Sequence, residues 1–354
     1  MPDFKGRRLE RVRASKQFSD GKFRNTSRVE PGLKGNPFPI LGEFVFGGRA
    51  RVPSAPLPVE SPLATWTMPV SESGLRITWL GHSTLLIEVD GMRMLTDPVF
   101  GERASPVSFA GAKRFHPTPA KLSELPRLDA VLLSHDHYDH LCRTSMQEIA
   151  TMGVPVVTSL GVGARLEQFG VAPELVIELD WWEEHTIAGA LSFTATPSQH
   201  FSGRSLTDRN ETLWSSWVIT TDKRRLFFSG DTGLTPEFAT VHDKFGKFDV
   251  VMLEIGAWHP SWGDIHLGPE NALRAFELLG GGTLLPIHWG TFDLGLHPWD
   301  EPAETLLALA EPAGARVLTP ILGRPFEPAH VEGPTPWWRT VEAVLLGRFQ
   351  VRDV

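Results

Sequence analysis

The succession of strand-like and helical segments in this chain predicts an α/β protein, an αββα sandwich of two mixed β-sheets with outer helices. Three observations carry that prediction. Short apolar runs of strand length recur along the chain, several of them leading into loops that carry His or Asp. Asp90-Gly91 joins two such runs as a tight hairpin turn. Beyond the hairpin, runs of strands are separated by segments of helical length, which places helices on the outer faces of sheets.

Taken in order, Leu75–Trp79, Thr84–Val89 and Met92–Thr96 read as consecutive strands. Val131–Ser134 is the next strand, followed by a helix from Arg143 to Met152, a strand at Pro155–Ser159 and a helix at Gly163–Phe169. Strands at Leu175–Leu179, Leu191–Thr196, Trp214–Thr220 and Arg225–Ser229 precede a helix near Pro236–Phe245. Val250–Glu254, a helix at Pro269–Leu279 and Thr283–His288 complete the second half. The last helices are expected near Glu304–Glu311, stopped by Pro312, and at Trp337–Leu346. No repeat is visible in the sequence.

The run His135-Asp136-His137-Tyr138-Asp139-His140 is the most informative stretch. It follows Leu128-Asp129-Ala130-Val131-Leu132-Leu133-Ser134, so it sits on a loop held by a buried strand, where functional side chains are often placed. His135 and His137 lie on one side of an extended turn, whereas on a helix they would diverge. Asp139 and His140 then face a second position close by. The pattern reads as two adjacent metal sites, and imidazole with carboxylate is a donor set that zinc accepts.

Three further strand ends supply the missing ligands. His200 follows Leu191-Ser192-Phe193-Thr194-Ala195, and Asp231 follows Arg225-Leu226-Phe227-Phe228 in Ser229-Gly230-Asp231-Thr232-Gly233, where glycines let the backbone approach closely. His288 follows Thr283-Leu284-Leu285-Pro286-Ile287. Each alone is a weak signal; four strand ends in succession are not. The resulting assignment puts His135, His137 and His200 on one metal, Asp139, His140 and His288 on the other, and Asp231 between both.

This order of elements resembles the metallo-β-lactamase fold superfamily, in which the same succession builds a two-zinc site. A narrower resemblance runs through Trp79-Leu80-Gly81-His82-Ser83-Thr84, Leu95-Thr96-Asp97-Pro98, Gly111-Ala112-Lys113-Arg114-Phe115, Glu178-Leu179-Asp180-Trp181-Trp182, Pro197-Ser198-Gln199-His200 and Ile287-His288-Trp289-Gly290-Thr291-Phe292. These segments are similar to the N-acyl-phosphatidylethanolamine phospholipase D branch, as are Ile255-Gly256-Ala257-Trp258 and His266-Leu267-Gly268-Pro269-Glu270-Asn271. The likeness spans roughly Leu75 to Asp300 and fades on both sides.

Composition narrows the classes. The chain has 354 residues, 41% of them apolar and 21% charged, as an ordinary globular protein does. No apolar run reaches the ~18 residues needed to cross a bilayer, and the basic N-terminus has no apolar stretch behind it to make a secretory signal. A single cysteine, Cys142, forbids an intrachain disulfide and is expected to serve packing, which fits the cytoplasm. A net charge of −8 argues against nucleic acid as partner.

Residues 1–70 are expected to form a basic, Pro/Gly-rich extension wrapping a single hydrolase domain at 71–354. The cations at its start (Lys5, Arg7, Arg8, Arg11, Arg13, Lys16, Lys22 and Arg24) suit an anionic membrane surface or an acidic patch of the protein itself. A solvated, frayed terminus is the default expectation.

The chemistry expected of two zinc ions is hydrolysis, with water activated at neutral pH and negative charge neutralised on the attacked centre. Asp139 and Asp231 are the candidate catalytic carboxylates, and manganese or iron suits the same N/O ligands. Asp97 is a candidate acceptor for a ligand imidazole, or a turn-forming Asp-Pro, and His82 a residue close to the site. His266 is the candidate to contact the substrate's oxyanion; His259 matches no motif of the branch. Among 12 tryptophans, Trp258, Trp262 and Trp289 are candidates to line an acyl-chain groove, with core packing as their default role. A phosphodiester lipid of the N-acyl-phosphatidylethanolamine kind is the expected substrate. A lactone or cyclic-phosphodiester hydrolase, and a lipid- or metabolite-binding protein with structural metals, remain open.

Overall fold

The computed structural model describes residues 4–27, 29 and 50–341. Two seven-stranded sheets dominate it. One runs in the order Val176–Leu179, Val156–Ser159, Ala130–Leu133, Met92–Thr96, Thr84–Val89, Leu75–Gly81, Pro325–Phe326. The other runs Glu184–Ile187, Leu191–Thr196, Ser216–Thr220, Arg225–Phe228, Val250–Glu254, Thr283–Ile287, Arg316–Val317. Both are mixed. In the first, Met94 pairs in parallel with Ala130 while Thr84–Val89 pairs antiparallel on its other side. In the second, Arg225–Phe228 is where antiparallel pairing gives way to parallel.

Strand alternation divides the first sheet's side chains between two cores. Leu85, Ile87, Ala130 and Leu132 face the second sheet, in one cluster with Phe193, Trp217, Phe227 and Met252. Leu86, Val131 and Leu133 point the other way, onto Met146 and Ile149 of the helix Arg143–Ala150 and Leu166 of the helix Gly163–Gln168. The helices Glu237–Phe245, Gly268–Leu278 and Glu301–Ala310 cover the outer face of the second sheet, with Phe238, Ala272, Phe276 and Leu306 in the large cluster. Burial on both faces is why these strands read as continuous apolar runs.

The expected elements form within the described residues, four strands with the expected bounds and the others with ends shifted by at most three residues. The edge strand Glu184–Ile187 escaped the reading because its exposed Glu-His-Thr pattern lacks an apolar face. So did the two-residue strands at Arg316–Val317 and Pro325–Phe326, which only tertiary pairing defines. The helix expected at Trp337–Leu346 falls largely outside the described residues.

The basic segment is not frayed over its described residues 4–27. Gly6–Ala14 is a helix, with Val12 buried beside Phe23, Trp181 and Trp214. Arg8 pairs with Glu178 at 2.6 Å and Glu167 at 2.5 Å, and Arg11 pairs with Glu183. An acidic patch of the protein therefore receives these two cations. Most of the Pro/Gly-rich stretch lies outside the described residues, but its end joins the core: Leu57 and Trp66 are buried, and Val59 bridges Leu322. Among the described residues no helix is long and apolar enough to cross a membrane.

Candidate metal centre

The carboxyl ends of the strands converge on one edge of the sandwich. Asp97 follows Met92–Thr96, the turn 134–140 follows Ala130–Leu133, His288 follows Thr283–Ile287, and Asp231 and His200 lie a few residues beyond Arg225–Phe228 and Leu191–Thr196. Three of the side chains there stand on left-handed backbone: His82 (φ 54), Asp97 (φ 32) and His288 (φ 63). Non-glycine residues hold that conformation only where their surroundings enforce it, and such positions gather at functional sites. Close approach also explains the glycines beside Asp231: a Cβ on Gly230 would stand 2.5 Å from the Ser134 Cβ, and one on Gly233 1.7 Å from the Asp264 carbonyl oxygen.

Among the described residues three groups of ligand atoms form, and the one of Asp231, Glu254, His266 and His288 overlaps the two that hold the expected ligands. In one, His137 Nδ1 lies 2.8 Å from His135 Nε2 and 3.2 Å from His200 Nε2. In the other, His140 Nε2 and His288 Nε2 are 3.2 Å apart, with Asp139 Oδ2 at 3.5 and 3.4 Å from them. Asp231 stands between. Its Oδ1 is 3.1 Å from both His140 and His288, and its Oδ2 is 3.8 Å from His135 and 3.6 Å from His200. His82, expected only near the site, joins the second group through Nε2, 3.0 Å from Asp139 Oδ2.

These donors fit cations. The remote nitrogens of three imidazoles are already engaged by the protein: His135 Nδ1 by Ser134 Oγ at 2.9 Å, His140 Nδ1 by Asp97 at 2.6 Å, His200 Nδ1 by the Ile265 carbonyl at 2.8 Å. That leaves each Nε2 aimed inward, as in ligating histidines whose outer nitrogen is fixed. Ring nitrogens facing each other at about 3 Å do not satisfy one another well, and Asp231 Oδ1 is buried without a well-directed hydrogen bond. A cation in each group satisfies both. The local field agrees. Burial pulls His288 down, but Asp231 and Asp139 outweigh it and push it up to about 10, so the pocket favours positive charge. Asp231 stays ionised, well below the usual carboxylate range despite its burial, because His140 and His288 face it.

The sequence reading missed three supporting residues. Glu254, buried at the end of Val250–Glu254, accepts the Thr232 N–H at 2.6 Å and holds His266 Nδ1 at 2.6 Å. The signal was present, since Glu254 ends an apolar strand as the ligands do. Ser134 links Asp97 to His135, its Oγ 2.7 Å from the Asp97 carboxylate. Asn25, far away in sequence, pairs with the His200 peptide.

A cavity of about 350 Å³ opens onto both groups. Phe201, Trp262, Ile265 and Leu294 give it apolar walls, His266 reaches into it, and Arg209 stands at it over the Phe201 ring at 4.8 Å. The expected groove tryptophans divide. Trp262 lines the cavity. Trp289 is instead in the core, stacked on Trp79 at 5.4 Å and Trp337 at 5.5 Å, because its neighbour His288 points to the ligand groups and the alternate side chain points inward. Trp258 stacks on His297 at 6.4 Å and is not among the residues lining this cavity. His259 caps the turn Pro260–Trp262 through Nδ1, away from the ligand groups. Cys142 is buried, its Sγ 3.2 Å from Thr144 Oγ1.

Residues 92–289, more than half of the chain, match the beta-lactamase superfamily domain. The chain is 43% identical over 304 residues to an uncharacterized protein of Mycobacterium tuberculosis, covering 85% of this chain and 80% of that one. It is 35% identical over 296 residues to N-acyl-phosphatidylethanolamine-hydrolyzing phospholipase D 1 of Caenorhabditis elegans, covering 77% of this chain and 83% of the relative. Among solved structures, isothiocyanate hydrolase from Delia radicum gut bacteria shares the fold, with a TM-score of 0.58 at 23% identity over 71% of this chain and 98% of that one.

Proposed function

We propose that this chain, which belongs to the metallo-β-lactamase superfamily and within it to the N-acyl-phosphatidylethanolamine phospholipase D-like branch, is a dinuclear phosphodiesterase that cleaves N-acyl-phosphatidylethanolamine-like lipids. That it is a metal-dependent hydrolase follows from the family; the metal count and the substrate are the proposal. The observation that carries it is Asp231, which turns one carboxylate oxygen to each ligand group at the floor of a largely apolar cavity. His135, His137 and His200 would hold one cation, and Asp139, His140 and His288 the other. Zinc suits this set, and manganese or iron would accept the same donors.

Bound by these residues, the cations would supply Lewis acidity and acidify a bound water. The protein's own part is orientation and proton handling. Asp139, held by His82 Nε2 at 3.0 Å, would take the proton that the attacking water loses. His266, its Nδ1 fixed by Glu254 and its ring lining the cavity, would offer its other nitrogen to a non-bridging phosphate oxygen. Burial lowers its proton affinity but Glu254 raises it further, so the ring is a donor matched to an anionic substrate. Trp262, Ile265 and Leu294 would receive acyl chain.

The test is turnover of the two-metal protein on vesicles containing N-acyl-phosphatidylethanolamine, beside a lactone and a cyclic nucleotide. Phosphatidic acid and N-acylethanolamine are the expected products. Turnover confined to the lactone or the cyclic phosphodiester would overturn the lipid reading.

A further inference from the structure

We infer that Asn25 is a positioning residue of the metal centre, and that the N-terminal segment 4–27 is a working part of that centre. The inference rests on the reading of His200 as a metal ligand. His200 lies beyond the end of Leu191–Thr196, on irregular backbone where no strand serves its peptide groups. Asn25 serves them instead. Its Oδ1 accepts the His200 N–H at 3.0 Å and its Nδ2 donates to the His200 carbonyl at 2.9 Å, as a neighbouring strand would. The amide cannot turn over without losing both bonds. Its orientation is fixed a second time by Trp214, whose Nε1 donates to the same Oδ1 at 3.0 Å.

The segment that carries Asn25 is fastened to the domain at several independent points. Phe23 is fully buried with Val12, Leu160, Leu213 and Trp214, so the ring that bonds Asn25 also packs the arm. Phe23 N–H donates to the Asn210 carbonyl at 2.7 Å. Glu178, the partner of Arg8, accepts the N–H groups of Gly161 and Gly163 at 2.8 and 2.9 Å. Arm, sheet edge and His200 backbone therefore form one connected set.

With Nδ1 tied to Ile265, the His200 ring is held at its far nitrogen and at both of its own peptide groups. Losing the peptide clamp frees the backbone to shift, and outer-shell partners of this kind are typically worth 10–100-fold in metal affinity. The loss should fall on the cation of His135, His137 and His200 alone. Asn25 itself bonds to the His200 peptide and to Trp214, away from Asp139, His140 and His288.

The experiment is a competitive zinc titration of the chelator-stripped full chain against a chromophoric chelator, resolving two binding steps, for wild type, Asn25→Ala, Asn25→Asp and His200→Ala. Melting temperatures of the stripped proteins are measured alongside. Asn25→Ala is expected to weaken one step about tenfold or more and leave the other unchanged. Asn25→Asp keeps the acceptor for His200 N–H and Trp214 but sets a carboxylate oxygen where Nδ2 donated to the His200 carbonyl, so the same step should stay weakened. Both steps at wild-type strength in Asn25→Ala, or both weakened equally with a lowered melting temperature, would overturn the inference; should Asn25→Ala fail to fold, an Asn25→Asp protein with both steps intact overturns it too. His200→Ala weakens the same step if His200 is a ligand. Two unchanged steps in that variant would instead remove the ligand assignment.

Discussion

The Asp97 carboxylate lies 2.6 Å from His140 Nδ1, both groups fully buried, and also accepts the Ser134 N–H at 2.8 Å and the Ser134 hydroxyl at 2.7 Å. One carboxylate at the end of Met92–Thr96 thus aligns the turn that carries His135 to His140, fixing the tautomer that leaves His140 Nε2 inward. Asp97→Asn can keep the contact but not the charge. We expect it to lower metal affinity and turnover 10–100-fold with the fold intact. Zinc titration and circular dichroism check this, and a variant with wild-type affinity would remove Asp97 from the site's support.

Among the described residues, Asp231 is the one carboxylate facing both groups. Asp231→Asn takes a negative charge from between the two ligand groups, so activity should fall by several orders of magnitude with the fold intact. His259→Ala, at a turn cap outside the ligand groups, should stay within a few-fold of wild type. Equal losses in the two variants would refute the ligand assignment.

Metal content gives a direct count. Elemental analysis of the purified active protein should find close to two transition-metal ions per chain, and chelation should abolish hydrolysis until metal is restored. An active preparation holding one ion or none is incompatible with the dinuclear reading.

Much of this site was legible because the candidate ligands lie at or within a few residues of the ends of apolar strands, and a strand end fixes place. His135, His200, Asp231 and His288 could be collected from one dimension for that reason. Glu254 obeys the same rule but was passed over, since a lone glutamate after Val-Val-Met-Leu carries no metal signature. Asn25 had no signal at all: its pairing with His200 spans 175 positions and uses peptide groups, which every residue has. Trp289 misled through proximity. A neighbour in sequence faces the other way, and only the packed core shows that Trp79, Trp337 and Trp338 claim its ring.

Acid should destabilise the metal-free protein partly through His116. Burial, and secondarily the nearby Arg114 guanidinium, push its pKa down to about 3, against about 6.5 in the unfolded chain. Between those values the unfolded state binds a proton that the folded state does not. Stability is therefore full above pH 6.5 and falls as pH drops toward 3, at up to ~1.4 kcal/mol per pH unit from this residue. His116→Gln, measured by urea unfolding in chelator from pH 7 to 4, should show a shallower decline than wild type. Parallel curves would sink the argument.

The cavity walls make a prediction about substrate length. Each methylene moved from water onto Phe201, Trp262, Ile265 or Leu294 contributes about 0.8 kcal/mol. Two more acyl carbons should therefore tighten apparent binding roughly tenfold. The gain must stop once the space of about 350 Å³ is filled. Trp262→Ala should flatten the dependence and leave the protein folded, since Trp262 is half-buried at the cavity wall. Trp289→Ala should do the reverse, costing ~3–5 kcal/mol of stability with the chain-length slope retained, because that ring fills the core. KM measured across a series of acyl lengths below the aggregation limit, for wild type and both variants, separates the two roles. A flat wild-type profile would mean that the cavity receives a small polar substrate, and a slope lost in Trp289→Ala but kept in Trp262→Ala would mean that the acyl chain takes another route.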